Sequence, residues 1–591
     1  MDRASSIHSS EGNSVPLSNP ATIRWQWMVA VVIGLTAALF FGRLGARALW
    51  SSEFRWGEIS REMIVTHNYF WPTINGKVYY DKPLGSYWLV VAATWLTGSM
   101  NEAAARIPSA VAGLLSVVLV VLLGRRLYNP QTGVTAGLIL ATSFSFVFFS
   151  RHASADVETV TGELAAIVLL LRHESQPPRF WVVELWLIMA ITSLTKGLLG
   201  FILPIVVIGS YSCLADGWKE LAAGTLHGSL AARLRWLVER NRWFFNWWTL
   251  VAVAVAGLVY YTPFAISHAE TGSGTGLQMV YRENVERFFE PFDHRGPVYL
   301  YVYVIFALMA PWSAFLPAAL IQMHGRQRLN HDRRRSDRFT LVFFWSTFIF
   351  FTLSGSRRSY YLLPILPAAT ILVARVLAEP SEALLKWPRR LLKVGYGVIV
   401  AAVAISGLAF LPPHRFLPAP YNQLPDVPDQ PMLAVYWIFS LLAVGWSLRN
   451  LNSMRVMVSS GLAAYLFMFY LFVFALPAGD AWRGEKSFAQ QVRQFTAERP
   501  SELAFFKNQG PVFYLALPEP VPEYERLADL SDAVAGGSVR WIVVRQRDLE
   551  QLGLPVEVAA SEPVYPWDPK EHRLNAMVLV EVKPVVHKFP H

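Results

Sequence analysis

Residues 24–63 read RWQWMVAVVIGLTAALFFGRLGARALWSSEFRWGEISREM. The first half holds an apolar run, 25–41, and the second packs Glu53, Glu58 and Glu62 with Arg55 and Arg61 into residues 51–63. An apolar segment that ends in such a charge cluster is a helix leaving lipid for an interface. Ala46-Arg47-Ala48 imitates a signal-peptidase site, but the run before it is longer than a signal peptide needs. We read it as an uncleaved anchor.

The rest of the chain agrees. Of 591 residues, 53% are hydrophobic and only 16% charged, against about 25% charged in an ordinary soluble protein. Mean hydropathy is +0.33. Apolar runs fall at 25–41, 85–98, 107–123, 134–149, 157–171, 181–194, 198–214, 245–264, 298–323, 339–353, 361–377, 394–410, 433–447 and 456–474. Lipid tolerates only backbones whose hydrogen bonds close internally, so these are helices of an all-α polytopic membrane protein. The net charge of +10 belongs to basic inner loops, not to nucleic-acid binding. The lone cysteine, Cys213, excludes an intrachain disulfide and a thiolate metal cluster. Residues 1–23, rich in Ser and Asn, read as a disordered cytoplasmic tail.

Arginine placement sets the topology. If all the runs cross, Arg125 and Arg126 lie outside and every later basic loop is inverted. If the short run 85–98 stays at the interface, six basic loops turn cytoplasmic together: 125–126, 172–179, 233–242, 333–335, 386–393 and 449–455. The expectation is about thirteen crossings, with the N-terminus inside, residues 24–477 in the membrane domain and 478–591 outside. In that last stretch Phe488, Val492 and Phe495 form a helical stripe. The runs LAFF (503–506), VFYLAL (512–517), VRWIVV (539–544), VEVAA (556–560) and AMVLVEV (576–582) read as strands. A small C-terminal α/β domain follows, with no nucleophile motif and no phosphate loop, suited to packing or to presenting an acceptor.

This topology gathers unusual polar residues outside. The first outer loop, 42–106, holds the opening cluster and NGKVYYDKPLGSYW (75–88); RHASADVET (151–159), LTKG (194–197), YRENVERFFEPFDHRG (281–296) and SGSRRSYYLLP (354–364) follow. Each alone can be a solvated helix end. Together, carboxylates beside Arg55, Lys82, Arg287, Arg357 and Arg358, interleaved with Tyr79, Tyr80, Tyr360 and Tyr361, suit a sugar attached to an anion. Cations hold a phosphate through charge-assisted bonds, tyrosines face a sugar, and a carboxylate can deprotonate a hydroxyl.

The ordered motifs SSEFRWGEISREM, PTINGKVYYDKPLGSYW, NEAAARIPSAVAGL, ADVET, LTKGLLG, ENVERF, APW and YYLLPILP span roughly residues 25–370. In that order they resemble bacterial glycosyltransferases of the protein O-mannosyltransferase and lipid A aminoarabinose transferase type. The resemblance implies a GT-C fold in the bacterial inner membrane, a periplasmic active site and a polyprenyl-phosphate-linked sugar donor. The acceptor would be a lipid A-like glycolipid or a protein hydroxyl. Carried over residue by residue, it makes Glu53 and Asp156 the catalytic carboxylates, and Arg55, Lys82 and Arg287 the donor-phosphate ligands. Tyr79, Tyr80, Asp81, Arg357, Arg358 and Tyr361 would line the sugar cavity. The resemblance assures no cofactor and leaves a divalent cation open. Two departures stand out: the family's leading Asp falls at Ser52, and its Glu-His before the loop arginine is Glu283-Asn284. The loss of that His weakens a zinc site. Two other readings stand beside a transferase. One is a flippase of lipid-linked sugars, which would place its ionisable groups near the midplane. The other is a non-catalytic paralogue, which Ser52 would suit.

Overall fold

The computed structural model describes residues 20–50, 52–214, 229–242, 244–290, 296–326, 331–411, 413–450, 452–480 and 484–583. Most of the N-terminal tail and part of the loop 281–296 lie outside the described residues. Each apolar run becomes helix. The first nine helices are α1 (Pro20–Phe41), α2 (Glu53–Thr66), α3 (Gly85–Thr97), α4 (Glu102–Leu127), α5 (Pro130–Ala141), α6 (Phe144–Ser150), α7 (Asp156–His173), α8 (Phe180–Lys196) and α9 (Leu199–Leu214). Among the described residues, six helices are long and apolar enough to cross a membrane, and eight if each bent pair counts as one span. Shorter apolar helices, Trp25–Phe41 and Leu199–Leu214, add to them.

Two runs expected as single crossings are broken. The run 134–149 bends by 68° between α5 and α6, and 298–323 bends by 118° between Leu300–Leu308 and Trp312–Gly325. The second break contains Pro311, which has no N–H to continue the helical ladder. Helix ends carry the expected capping groups. Asn101 and Asn129 accept from Ala104 N and Thr132 N, each at 2.9 Å. Arg151 donates to Leu39, Phe40, Gly42 and Phe472 carbonyls, so it satisfies orphan acceptors at the end of α1.

The basic loops 125–126, 172–179 and 333–335 share one end of the bundle. Arg126 donates to Leu171 O, Arg335 pairs with Glu174 and reaches Tyr211 Oη at 3.0 Å, and Arg375 lies 5.1 Å over the Tyr128 ring. The outer-loop motifs assemble at the other end, where α7 begins and α8 finishes. There α3 packs on α2, α4 and α8.

Within the first loop, Asn75 (φ 52°) and Gly76 (φ 72°) form the turn between β1 (Thr73–Ile74) and β2 (Lys77–Val78). Both central residues are left-handed, the Asn-Gly signature of a tight hairpin. A Cβ on Gly76 would also come within 2.7 Å of Pro520 Cγ. That contact belongs to the C-terminal part of the chain, whose five-stranded sheet runs β4-β3-β5-β7-β6 with β3 (Leu503–Phe506), β4 (Glu523–Tyr524), β5 (Trp541–Arg545), β6 (Val556–Ser561) and β7 (Met577–Val582). β3 runs parallel to β4 and β5, while β7 runs antiparallel to β5 and β6. Four of the expected strands form. VFYLAL does not: Val512–Leu515 is a short helix that ends at Ala516 in the left-handed region. Its Val512, Phe513 and Leu515 share a core with Trp56, Ile59 and Met63 of α2.

Alternation along the sheet explains how it attaches to the helices. Leu503, Phe505, Trp541, Val543 and Leu579 enter that same core with α2, α3 and the helix Glu485–Phe495. Ala504, Phe506, Ile542, Val544, Val578 and Val580 face the other way, onto Leu530. The helix buries Phe488 and Val492, while Phe495 is left 46% exposed beside the Trp541 ring. Asn75 completes the junction: its side chain donates to Val521 O at 2.8 Å and accepts from Val521 N at 2.7 Å.

Candidate active site

A cavity of about 940 Å³ opens at the end of the bundle where the outer-loop motifs meet. Among the described residues, its wall carries six Lys or Arg residues (Arg55, Lys82, Lys196, Arg282, Arg287 and Arg358) and three carboxylates, Asp81, Asp156 and Glu283. Tyr79, Tyr80, Tyr360 and Tyr361 line it as well. The charge balance suits an anion, and the rings suit an amphipathic ligand.

Each wall has a local cause. The hairpin turn delivers Tyr79–Lys82, and α2 faces Arg55 towards them. Arg55 Nη1 donates to Tyr79 Oη and Asp81 Oδ2, both at 2.9 Å, and Lys82 Nζ meets Asp81 Oδ1 at 2.9 Å. Burial would raise the Asp81 pKa, but Lys82, Arg55 and Arg287 outweigh it and hold the carboxyl below its usual range. Lys82 Nζ also lies 3.5 Å from Glu283 Oε2, which pairs in turn with Arg287.

Lys196 ends α8, pairs with Asp156 at the start of α7, and lies 5.6 Å from the Tyr361 ring centroid. The chain leaves Lys196 through Gly197 at φ 100°, where a Cβ would sit 2.6 Å from Asn284 Oδ1. Asn284, at the family's His position, accepts from Leu198 N at 2.8 Å and so ties this turn to the fourth outer loop. Across the cavity, Arg358 Nη1 donates to Tyr360 Oη at 2.7 Å.

Nine of the eleven expected residues therefore converge on one wall system: Arg55, Tyr79, Tyr80, Asp81, Lys82, Asp156, Arg287, Arg358 and Tyr361. Two do not. Arg357 turns to backbone, with Nη1 on Gly296 O at 2.9 Å and Nη2 on Thr352 O at 3.0 Å. Glu53, expected to act on substrate, is corrected more sharply. It is 2% exposed and chelated by Arg106 at 2.7 and 2.8 Å, with Trp50 N and Ala153 N on its remaining lone pairs at 3.0 and 2.8 Å. Burial would raise its pKa, but His152 and Arg106 reverse that and hold it at about 2. A carboxylate so satisfied is a poor base. Apart from Arg55, the other charges of the opening cluster are also held in structural contacts. Arg61 forks onto Glu58 at 2.8 and 2.7 Å, and Glu62 accepts from Thr73 Oγ1, Asn75 N and Gly76 N to hold the hairpin.

Lys196 and His152 line the cavity without having been singled out from sequence. LTKG does carry a signal, a cation ending an apolar helix before glycine, but it reads equally well as dipole compensation. Among the described residues, no group of three or more His, Cys, Asp or Glu gathers as a metal site. Asp81, the acidic residue of DKP, is held by two cations and fits a divalent ion poorly.

Comparison with known proteins agrees with this architecture. Residues 81–236 match the family described as dolichyl-phosphate-mannose-protein mannosyltransferase. An undecaprenyl phosphate-alpha-4-amino-4-deoxy-L-arabinose arabinosyl transferase of Erwinia tasmaniensis is 28% identical over 64% of this chain and 65% of its own length. A Pseudomonas fluorescens protein of the same description is 26% identical over 72% of this chain and 71% of its own. The chain thus spans about two thirds of the length of these curated relatives. The crystal structure of ArnT from Cupriavidus metallidurans in the apo state superposes with a TM-score of 0.65 at 20% identity, covering 95% of this chain and 98% of that one. The same protein bound to undecaprenyl phosphate superposes equally well, over 97% and 100%. The chain therefore shares the fold of that protein over nearly its whole length. It is similar in sequence to GT-C glycosyltransferases of the aminoarabinose transferase and protein O-mannosyltransferase type. These likenesses support a membrane glycosyltransferase.

Proposed function

We propose that this protein transfers a sugar from a polyprenyl-phosphate-linked donor to an acceptor on the periplasmic face of the bacterial inner membrane. One observation carries the reading: the cavity wall with six cations, three carboxylates and a band of tyrosines, at the end of the bundle opposite the basic loops. Basic loops inside put the cavity outside, with about thirteen crossings, the N-terminus in the cytoplasm and the C-terminal domain in the periplasm.

The chemistry is an inverting displacement. An acceptor oxygen attacks C1 of the sugar, the C1–O bond breaks, and polyprenyl phosphate leaves with the electron pair. A phosphate needs no general acid, only cations where its charge develops. Arg55, Lys82 and Arg287 meet that need. Asp156, braced by Lys196 among Tyr360 and Tyr361, orients the sugar or the acceptor. The acceptor is a lipid A-like glycolipid or a protein hydroxyl. Clustering of the ionisable groups at one end, not at the midplane, favours a transferase over a flippase.

Undecaprenyl phosphate binding tests the donor assignment. Arg55→Ala and Lys82→Ala should each weaken it by about 1.5–3 kcal/mol, the worth of a hydrogen bond to a charged group. Wild-type affinity in both variants would end the assignment.

A further inference from the structure

A buried relay reaches the cavity wall at the turn between α6 and α7. His152 Nδ1 lies 3.4 Å from Glu53 Oε1, and its Nε2 lies 3.5 Å from Ser52 Oγ. Both His152 and Ser52 line the cavity; Glu53 stands behind them. The ring cannot wander. It stacks on Phe148 at 5.3 Å and 21°, and meets the edge of Phe149 at 6.1 Å and 84°. Glu53 cannot wander either, because Arg106, Trp50 N and Ala153 N fix both its oxygens.

Glu53 already accepts two hydrogen bonds on each oxygen, so it acts on the ring through its charge, 3.4 Å from Nδ1. That charge favours the tautomer protonated at Nδ1, which leaves the Nε2 lone pair towards Ser52 and the cavity. The charged groups around the ring come from four elements: Glu53 of α2, Arg106 of α4, Asp156 of α7 and Arg47 of the segment after α1. Burial lowers the imidazole pKa; Glu53 opposes this and Arg106 adds to it, and the balance lies below the ordinary value. The ring is thus neutral at pH 7 and able to take a proton.

We infer that His152 is the general base of the transfer, that Glu53 positions it, and that the acceptor is therefore a hydroxyl group and not a phosphate. The inference rests on the donor reading given above. In the step, the acceptor O–H gives its proton to His152 Nε2 as its oxygen bonds to C1 of the sugar. The C1–O bond to phosphate breaks, and polyprenyl phosphate leaves with the electron pair. The imidazolium then returns its proton to water. A phosphate acceptor would already carry an anionic oxygen and would leave this relay without work.

The full-length protein in lipid nanodiscs allows the test. Undecaprenyl phosphate binding is measured first. Turnover is then followed as undecaprenyl phosphate release from two donors, linked to 4-amino-4-deoxy-L-arabinose and to mannose, with lipid A and a serine/threonine peptide as acceptors. His152→Asn keeps a polar side chain beside Glu53 and loses the base. It should bind undecaprenyl phosphate as the wild type does, turn over roughly 10²–10⁴-fold more slowly, and lose the acid limb of the pH profile. Imidazole in the buffer should restore His152→Ala at least about tenfold, which a purely structural histidine would not allow. Glu53→Gln should move the acid limb to lower pH, since a carboxylate no longer supports the imidazolium. Wild-type turnover in His152→Asn, or an acid limb that persists in it, overturns the base with the donor reading intact. Failure of the wild type to bind undecaprenyl phosphate overturns the donor reading and this inference with it.

Discussion

Helix α2 and the segment Tyr79–Lys82 belong to one loop, and both looked equally suited to chemistry. They differ in where their charges end. On α2, Glu53 meets Arg106, Glu58 meets Arg61, and Glu62 meets the hairpin backbone; all three carboxylates are buried. In the second segment, Asp81 is shared by Arg55 and Lys82 at the cavity wall, with each side chain about a quarter exposed. Charge density alone therefore does not mark the reactive part of the loop. Satisfied lone pairs mark scaffold, and shared, half-exposed charge marks the place where a ligand anion can compete.

The largest test of that contrast is Glu53→Ala. It strands the Arg106 guanidinium in the core, at a cost of about 3–5 kcal/mol, and should appear as a large fall in thermal stability in detergent. Asp81→Ala, by contrast, should leave stability nearly unchanged. The same carboxylate gives a pH signature. Its folded pKa of about 2 lies below the ordinary 4.5, so its contribution is complete above pH about 4.5 and lost as pH falls towards about 2. Glu53→Gln should flatten stability across that window.

Gly76→Ala comes next. The left-handed backbone and the 2.7 Å approach to Pro520 predict a loss of about 1–2 kcal/mol. Donor affinity should fall with it, because the hairpin aims Tyr79. Unchanged undecaprenyl phosphate affinity would show that the turn does not position the wall.

Arg357 and Arg358 sharpen the comparison within a single dipeptide. Arg357→Ala gives up bonds to two backbone carbonyls and should cost about 1–2 kcal/mol of stability. Arg358→Ala should cost little stability and weaken donor binding by about 1 kcal/mol or less. The reverse pattern would exchange their roles.

Local rules made some of this structure readable in advance. The hairpin at Asn75-Gly76 is not among the expectations drawn from sequence, although few residue pairs tolerate two left-handed conformations in succession and Asn-Gly carries that signal. LAFF and AMVLVEV announced strands because β-branched and aromatic residues crowd a helix less favourably than a pleated sheet. VFYLAL carried the same composition yet folded as a helical turn onto α2. A short apolar run takes whichever form its neighbours can bury.

The site divides in the same way. Motif order along the chain picks out nine residues that the fold gathers on one wall, but the role of Glu53 could not be read from its neighbours. Its partner Arg106 lies 53 positions away, and His152 lies 99 positions away, each on a different element. Sequence by itself determined the membrane class, the placement of basic and polar loops along the chain and the residue types available for holding a phosphate. Those follow from hydropathy and charge placement, which act within a few residues. Only the tertiary structure decided which carboxylate is buried scaffold and which faces the ligand, because burial and partner identity are set by contacts between segments far apart in the chain.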